Sequence, residues 1–328
     1  MREVLRMKRV ICMLLCLVSL LCAASAEETG YSFDEKGFLT DCEDGAEYIL
    51  EDDENGVWKY ATESLAITVQ RTRDTKKVKK KNMILEYFEA DIQASPESPL
   101  IPVMTDPTKS NPAGVKQVSP DILARKYQSV FAVSDDMYGL RRTKQNGKYR
   151  YDYRGVVIRN GEVMCEKTRN SKKHRPWPNL DTMALYGDGS MKTFICDAYT
   201  AEEYLAQGAT QVFAFGPILI SDGVINEEVL DPKYYPYNEP RVAIGMIEPY
   251  HYHVILVRGR PDNKYAGVHL DWMAQKMQEA GCVEALNLDG GETATMLFMG
   301  KVIGSGGNGL RSQGSLITFG TSDKVPQE

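Results

Sequence analysis

The sequence predicts a mixed α/β (α+β) fold, in which a strand-rich central mixed sheet has few flanking helices. Short apolar or alternating runs between Gly and Asn turns recur along the chain, whereas only two segments have clear helical signals. The chain has 328 residues, of which 43% are hydrophobic and 26% are charged, as is usual for globular proteins. A chain of this length can bury a large core, so we expect a folded body rather than a disordered one.

The first 26 residues have the features of a secretory signal peptide. Four basic residues precede an apolar run at 10–24, which ends in the small-residue motif Ala24-Ser25-Ala26. An uncleaved membrane anchor is the alternative, but the cleavage motif favours removal after Ala26. We therefore expect a secreted or extracytoplasmic protein with no stable membrane span after cleavage.

The segment after the signal peptide divides into an acidic lead-in at 27–56 and a main domain at 57–328. Turn signals dominate the lead-in, and strand patterns follow at 57–60, 65–69 and 83–92. Residues 71–81 include seven basic side chains, which we interpret as a solvated hairpin loop. Contact with an anionic polymer is the alternative interpretation of this basic stretch.

A Pro-rich connection at 94–120 precedes the core of the domain, which we place at about 121–320. The core has strand patterns at 129–133, 153–159 and 211–215. A capping box at Thr200–Glu203 predicts a helix that stops at Gly208. A second helix is predicted at about 270–280, and a buried strand at 283–288 follows it.

The cysteines and histidines give no signature of a metal site or cofactor. Four cysteines remain after signal cleavage, enough for two disulfides in three possible pairings, which stay open. Their wide spacing, the four histidines and the absence of an HExxH motif argue against a zinc site. We expect no metal and no cofactor.

The sequence argues against nucleic-acid binding and against a dinucleotide-binding motif. A formal net charge of −6 argues against a nucleic-acid partner, because such proteins usually have a basic excess. The glycines at 304–309 match GxGxxG, but a strand pattern at 316–319 follows them instead of a helix. We interpret this segment as a glycine-rich loop.

The residues that favour chemistry lie in the last third of the chain. The apolar strand at 283–288 runs directly into Asp289-Gly290-Gly291-Glu292, where glycines let a ligand approach the backbone. An ordinary Asp-Gly turn is the alternative when this motif is taken alone. Upstream, Arg241 begins one strand pattern, and Arg260 follows another. A guanidinium group can bind phosphate or carboxylate oxygens in a bidentate manner.

Together these segments resemble the phosphodiester glycosidase family. The resemblance rests on Ala285-Leu-Asn-Leu-Asp-Gly-Gly291, preceded by Pro240-Arg241-x-Ala-Ile-Gly245 and by Gly259-Arg260. Segments 131–139 and 155–161 are similar to upstream landmarks of the family, and the likeness covers about residues 57–320. The family includes the lysosomal N-acetylglucosamine-1-phosphodiester α-N-acetylglucosaminidase and exported bacterial proteins labelled exopolysaccharide-biosynthesis-like.

The resemblance implies hydrolysis of a sugar-1-phosphodiester to free sugar and a phosphomonoester, on cell-envelope or extracellular glycans. A phosphate leaving group needs little general-acid help, so an arginine and a carboxylate suffice. The catalytic residues that it implies are Asp289, Asp136 and Glu292. The substrate-binding residues that it implies are Arg241, Arg260, Arg311, Gly290, Gly291, Asn287 and His251.

Departures from the family pattern keep two other interpretations open. Ser134 stands where the family has Asn, Val242 where it has Thr, and Glu292 where it has a third Gly. The first alternative is therefore a catalytically degenerate glycan- or phosphoglycan-binding protein of the same fold. The second is a structural envelope protein that adheres to anionic wall polymers through the basic residues at 71–81.

Overall fold

The structure is a computed structural model. It describes the following ranges: residues 30–105, 117–136, 142–145, 148–151, 154–167, 178–231, 233–259, 264–307 and 309–327. The predicted signal peptide at 1–26 and Arg260 lie outside these ranges. Every helix within them is too short or too polar to cross a bilayer.

The largest sheet in the described ranges has nine strands, and we call it sheet 1. Its strands, in spatial order, are β17 (Val224–Ile225), β16 (Ile218–Ser221), β20 (Glu284–Leu288), β18 (Arg241–Glu248), β19 (His251–Val257), β6 (Lys81–Gln93), β5 (Ala66–Val78), β4 (Val57–Ala61) and β3 (Tyr48–Asp52). The predicted strands at 57–60, 65–69, 83–92 and 283–288 are confirmed. The edge strand β3 comes from the acidic lead-in, which therefore contributes to the sheet.

Two five-stranded sheets pack beside sheet 1 in the described part of the chain. Sheet 2 contains β12 (Glu162–Lys167), β11 (Gly155–Arg159), β15 (Ala209–Phe215), β13 (Asp181–Tyr186) and β14 (Met191–Phe194). Sheet 3 contains β22 (Lys301–Ser305), β21 (Thr295–Phe298), β8 (Ser129–Ser134), β23 (Ser315–Thr321) and β7 (Leu100–Met104). Two small hairpins pair β1 (Ser32–Phe33) with β2 (Leu39–Thr40) and β9 (Arg142–Gln145) with β10 (Lys148–Tyr151).

The helices in the described ranges are short. They are α1 (Pro120–Lys126), α2 (Ala201–Ala206), α3 (Glu227–Leu230) and α4 (Leu270–Glu279). The predicted capping box of α2 is confirmed, because the Glu203 N–H donates to Thr200 Oγ1 and the Thr200 N–H donates to the Glu203 carboxylate. Gly208, with φ +85°, follows the end of α2 as predicted. The second predicted helix is α4.

Sheet 1 separates two apolar clusters, because side chains alternate between the faces of each strand. On one face, Val242 and Leu288 belong to a cluster that includes Phe131 of sheet 3. On the other face, Ala243 and Ala285 pack in the cluster that covers α4. Each large apolar side chain buried in this way contributes about 1.5–3 kcal/mol to stability. The candidate chemistry lies where β18 begins and β20 ends, between these clusters.

The strand-rich class with few flanking helices is confirmed, and its mixed character is limited. Every ladder in the described ranges is antiparallel, and parallel pairing occurs only as the isolated bridge between Ile84 and Tyr265. Helix α4 connects β19 and β20, which run parallel to each other because each is antiparallel to β18. The two strands do not pair because β18 lies between them.

Two segments interpreted as irregular contain strands. The basic stretch at 71–81 lies largely in β5, and only Lys79 and Lys80, with φ +45° and +68°, form the turn to β6. Lys77, Lys79, Lys80 and Lys81 are exposed, so the pattern of charges resembles that of a loop. The Pro-rich connection contains β7, an edge strand in which Pro102 is tolerated because an edge residue needs no ladder N–H.

Two of the four cysteines that follow the predicted signal peptide, Cys42 and Cys282, are free thiols. Cys282 lies in the cluster around α4, and its burial raises the pKa of the thiol to about 12. The Cys282 thiol is therefore protonated at neutral pH and functions as an apolar core residue.

Candidate functional site

The ends of β8 and β20 bring two aspartates together, although the strands belong to different sheets. Asp135 follows β8, and Asp289 follows β20. The Asp289 N–H donates to the Asp135 carbonyl oxygen at 3.1 Å. Both residues are buried, and Asp289 is 8% exposed. This hydrogen bond joins sheets 1 and 3 at the predicted carboxylate.

Arg241 lies opposite Asp289 on the neighbouring strand. Val242 pairs with Leu288, and the same antiparallel register continued by one residue places Arg241 across from Asp289. Arg241 is 4% exposed, and its guanidinium carbon lies 4.8 Å from the ring centroid of Tyr235. The predicted carboxylate and the predicted phosphate ligand are therefore adjacent in the fold.

The guanidinium group of Arg241 is held by two loops. Its Nε donates to the Val268 carbonyl oxygen at 3.4 Å, and its second terminal nitrogen donates to the Tyr237 carbonyl oxygen at 3.2 Å. Both of these acceptors are neutral carbonyl oxygens. An anionic ligand at this position would add a charge-assisted hydrogen bond.

The two glycines after Asp289 have packing roles. A Cβ atom on Gly290 would lie 2.4 Å from the Pro240 carbonyl oxygen, so glycine is required for close approach of the two strands. The Gly291 N–H donates to the same Pro240 oxygen at 3.0 Å. The structure thus contradicts the expectation that Gly291 donates to a ligand. Both glycines fix Asp289 against the start of β18, and the donor role of the Gly290 N–H stays a prediction.

Asn287, two residues before Asp289, is held by hydrogen bonds to Gly216, and its Oδ1 atom can accept a further hydrogen bond. Its Nδ2 donates to the Gly216 carbonyl oxygen at 2.9 Å, and the Gly216 N–H donates to the Asn287 carbonyl oxygen at 3.1 Å. Its Oδ1 is buried and has no hydrogen-bond partner within the described ranges. A buried carbonyl oxygen of this kind favours a donor such as a sugar hydroxyl or amide.

Asp136 is placed differently from the prediction. It is fully buried; Arg159 donates to its Oδ1 at 2.6 Å, and the Ala214 N–H donates to its Oδ2 at 2.6 Å. Both carboxylate oxygens are therefore hydrogen-bonded within the protein. This geometry contradicts direct contact with a substrate and indicates that Asp136 positions its neighbours.

Arg159 is a site residue that the sequence reasoning missed. It is 1% exposed, donates to Asp135 Oδ2 at 3.4 Å and to the Val212 carbonyl oxygen at 2.7 Å, and lies 4.1 Å from the ring centroid of Phe213. It neutralises the aspartate pair behind Asp289. The sequence feature that could have identified Arg159 is an arginine at the end of one apolar strand together with an Asp-Asp doublet at the end of another. Buried charges need partners, so these residues are expected to pair.

Polar residues in and next to sheet 3 contact Asp135 and the loop after Gly291, and they were also missed. Ser315 Oγ donates to Asp135 Oδ2 in a short hydrogen bond. Gln313 Nε2 donates to the Thr293 carbonyl oxygen at 2.9 Å and to Thr295 Oγ1 at 3.3 Å. These contacts fix the loop that follows Gly291.

Glu292 and Arg311 form an ion pair with each other at the surface. Their side chains are 56% and 30% exposed. The carboxylate of Glu292 is thus paired with a cation, and the pair connects the loop after β20 to the loop before β23. This ion pair does not link Glu292 to Asp289. The geometry therefore gives no support to the catalytic role predicted for Glu292.

His251 lies at the other end of its strand, which contradicts its placement in the site. Its Nε2 hydrogen-bonds to Asp91 Oδ1 at 2.8 Å. It is six residues before Val257, the strand partner of Arg241, so it is about 20 Å from that end of the sheet. Arg260, the remaining predicted ligand, lies outside the described residues.

A cleft of about 740 Å³ is lined in part by residues of β14, β16 and β17. Asn179 and Asp181 line the cleft and also contact Gly216, since a Cβ atom on that glycine would lie 2.1 Å from Asn179 Oδ1. Asp181 Oδ2 accepts hydrogen bonds from Asn179 Nδ2 at 2.7 Å and from the Ile218 N–H at 3.1 Å. Gly216, which accepts a hydrogen bond from Asn287, thus lies between Asn287 and two residues of the cleft, and the volume of the cleft suits a small ligand.

No group of three His, Cys, Asp or Glu side chains within the described ranges is arranged to hold a metal ion. A second cleft of about 500 Å³ is lined by residues such as Glu47 and Tyr127, and neither cleft is lined by a member of the Asp289 group, which we define as Asp289, Arg241 and Asn287. The Asp289 group combines a carboxylate, a guanidinium group and a buried carbonyl acceptor. It can bind an anion and stabilise a positive charge beside it.

Comparisons with known proteins agree with this architecture. The zebrafish N-acetylglucosamine-1-phosphodiester alpha-N-acetylglucosaminidase catalytic domain, auto-inhibited by its pro-peptide, has a similar fold, with a TM-score of 0.58 and 14% identity over 77% of this chain and 83% of that one. A Burkholderia pseudomallei K96243 protein described as exported has a TM-score of 0.50 and 10% identity over 84% of this chain and 97% of that one.

Sequence comparison adds a curated relative and a family. The SPbeta prophage-derived uncharacterized protein YomE of Bacillus subtilis (strain 168) is 24% identical over 232 residues, which cover 70% of this chain. The match covers 32% of YomE, so this chain spans about a third of that relative's length. The sequence profile of the phosphodiester glycosidase family matches residues 127–319, which include Arg159, Arg241 and Asp289. The chain belongs to the phosphodiester glycosidase family.

Proposed function

We propose that this protein hydrolyses a sugar-1-phosphodiester of the N-acetylglucosamine-1-phosphodiester type to free sugar and a phosphomonoester. The observation that supports this most strongly is the placement of Arg241 opposite Asp289 within the family region. The zebrafish relative is named for an activity of this type, and its catalytic domain has a similar fold.

In the proposed reaction, Arg241 binds the phosphate and Asp289 faces the anomeric carbon. The bond between that carbon and the phosphate oxygen breaks, and its electron pair stays with the phosphate. The carboxylate of Asp289 stabilises the oxocarbenium-like centre, and a water molecule adds to it. The water gives its proton to Asp289 or to the released phosphate. The phosphate is a weak base, so the reaction needs no dedicated general acid.

The sugar would lie beside Asn287, on the side toward the cleft that Asn179 and Asp181 line. The Asn287 Oδ1 atom can accept a hydrogen bond from a sugar hydroxyl or from an N-acetyl N–H group. Asp135 and Arg159 act behind Asp289, because they fix its backbone and balance the local charge. In this proposal they are positioning residues.

The proposed location is outside the cytoplasm, on cell-envelope or extracellular glycans. The support for export is the sequence pattern of residues 1–26, and the support for a glycan is family membership. The oligomeric state has no part in this proposal.

The test is release of free N-acetylglucosamine from its α-1-(methyl phosphate) diester by the purified chain. We expect release by the wild type, and a kcat at least about 1,000-fold lower for Asp289→Asn, since it removes the charge that stabilises the transition state. Asp44→Asn, an exposed aspartate outside the site, is the matched control and should keep full activity. Full activity in folded Asp289→Asn would contradict the assignment.

The second candidate is a glycan-binding protein that has lost turnover. It is favoured by the ion pair between Glu292 and Arg311, because Arg311 then already has an anionic partner. Folded wild type that releases no sugar, but binds the diester with an affinity that Arg241→Gln weakens, would support this candidate.

A further inference from the structure

The β5–β6 hairpin extends past the other strands of sheet 1 at the end where the candidate site lies. Arg241 pairs with Val257, Val257 with Tyr87, and Tyr87 with Thr72, which form one row across four strands. Hairpin residues 73–86 lie beyond that row and project about 20 Å from it. The hairpin is three strand spacings, or about 14 Å, to the side of Arg241.

The hairpin is fixed to the same two loops that hold Arg241. Lys76 Nζ donates to Asn238 Oδ1 at 3.0 Å and to the Gly267 carbonyl oxygen at 3.3 Å. Each acceptor is adjacent in sequence to an acceptor of Arg241, which donates to Tyr237 and Val268. Lys76 and Arg241 therefore donate to the same two loops, at Tyr237-Asn238 and at Gly267-Val268.

Further contacts hold the hairpin in place. The Ile84 N–H donates to the Lys264 carbonyl oxygen at 2.9 Å, and the Ala266 N–H donates to the Ile84 carbonyl oxygen at 2.8 Å. The buried carboxylate of Glu86 pairs with Arg73 on the neighbouring strand and with Arg258 at 2.6 Å. The hairpin is thus a positioned arm.

The arm is strongly basic in an acidic protein. Residues 73–86 contain six basic and two acidic residues, whereas the whole chain has a net charge of −6. Lys77, Lys79, Lys80 and Lys81 are exposed at its end and form no ion pair within the described ranges. Lysine side chains are flexible point charges that suit phosphate groups at variable positions.

We propose that this arm, which we call the basic arm (residues 73–86), binds phosphate groups of a polymeric substrate. The substrate class is then a glycan with repeated sugar-1-phosphodiester linkages, of which one lies at Arg241 and others lie along the basic arm. This inference rests on the proposed function. A single small diester would reach Arg241 and leave the basic arm without a role.

The test compares two substrates: the N-acetylglucosamine α-1-(methyl phosphate) diester and a synthetic oligomer of about eight N-acetylglucosamine-1-phosphate repeats. The arm variant is Lys77→Gln/Lys80→Gln/Lys81→Gln. The matched control replaces exposed lysines elsewhere: Lys36→Gln/Lys126→Gln/Lys301→Gln. We expect the arm variant to raise KM about ten-fold for the oligomer and to leave the small diester within about two-fold.

Salt dependence gives a second readout. Oligomer KM should rise steeply with salt for the wild type and for the control, and less steeply for the arm variant, because fewer counterions are released on binding. Equal losses on both substrates, or no change on either, would overturn the proposal.

Binding to the Asp289→Asn chain separates this inference from the proposed function. Fluorescence anisotropy with labelled oligomer needs no turnover, so it tests the basic arm even if neither substrate is cleaved. We expect the arm substitutions to weaken this binding about ten-fold. Single-stranded DNA with the same number of phosphates should bind less tightly than the oligomer. Equal affinity for DNA would overturn the assignment to a sugar-phosphate polymer.

Discussion

The backbone N–H of Asp289 donates to the carbonyl oxygen of Asp135 at 3.1 Å, and this bond connects the ends of two strands from different sheets. The side chain of Asp135 is in turn held by Arg159, whose guanidinium group also pairs with Asp136. The position of Asp289 therefore depends on how sheets 1, 2 and 3 pack. The site therefore depends on tertiary contacts, and substitutions at those contacts should have the largest effects on activity and stability.

The glycines after Asp289 should differ sharply when each is replaced by alanine. Gly290→Ala would place a Cβ atom 2.4 Å from the Pro240 carbonyl oxygen and separate β18 from the Asp289 turn. Gly291→Ala meets no atom within 4 Å, so its cost is the strain of φ +62°, about 1 kcal/mol. We expect kcat/KM to fall at least about 100-fold for Gly290→Ala and less than about five-fold for Gly291→Ala. Similar losses for the two variants would contradict this packing.

Removal of Arg159 should destabilise the fold strongly. Arg159→Leu leaves Asp135 and Asp136 buried without their cation, which costs about 3–5 kcal/mol in the free energy of unfolding. Lys301→Leu is the control, because Lys301 pairs with Glu51 at the surface and should cost less than about 1 kcal/mol. Urea unfolding measures both values. A cost for Arg159→Leu as small as that of the control would exclude a structural role for the buried pair.

Glu292 should prove dispensable for the chemical step. Glu292→Gln breaks an exposed ion pair with Arg311, so the free energy of unfolding should change by less than about 1 kcal/mol. We expect kcat to stay within about three-fold of the wild type, while KM changes if Arg311 becomes available to the phosphate. The steady-state kinetics of the diester reaction measure both constants. A loss of kcat comparable with that of Asp289→Asn would restore the catalytic role for Glu292.

Glu86 should make stability depend on pH at the base of the basic arm. Burial alone would raise its pKa, but hydrogen bonds and charges from Arg258 and Arg73 hold the pKa of the carboxyl below its ordinary value of 4.5. Since the folded pKa is the lower one, ionised Glu86 stabilises the fold above about pH 4.5. That contribution is lost as the pH falls through the folded pKa.

The variant Glu86→Gln tests this dependence. We expect it to lower the free energy of unfolding by about 3 kcal/mol at pH 7, and by less at pH 3, because the carboxyl of the unfolded chain takes up its proton below the ordinary pKa of 4.5. Glu54→Gln, an exposed glutamate, should have little effect at either pH. Denaturant unfolding at the two pH values measures the difference. A deficit that stays constant between pH 7 and pH 3 would be inconsistent with the pKa shift.

The parts of the site that the sequence predicted are those with a local signal. Asp289 and Arg241 each flank an apolar strand, so their place at strand ends could be read from pattern alone. Arg159 differs, because its contacts come from the packing of one sheet on another, whereas the role predicted for Asn287 came from the family resemblance. His251 was misplaced because a strand pattern gives no information on which end of the sheet faces the site.

The fold shows the same limit. Strands with alternating or apolar patterns, such as β8 and β20, and the capped helix α2 were predicted from local residues. The basic stretch at 71–81 was interpreted as a hairpin loop, because its many charged side chains hide the alternating apolar pattern that marks a strand. Long charged strands of this kind are stable because the rest of the sheet and the loop at 264–268 support them.

The most direct test of the central claim is the position of bond cleavage. Hydrolysis of the N-acetylglucosamine α-1-(methyl phosphate) diester in ¹⁸O-labelled water distinguishes the two bonds by mass spectrometry of the products. If Asp289 stabilises positive charge at the anomeric carbon, the label will appear in the anomeric hydroxyl of the sugar, and methyl phosphate will be unlabelled. Label in the phosphate would mean attack at phosphorus and would contradict the account.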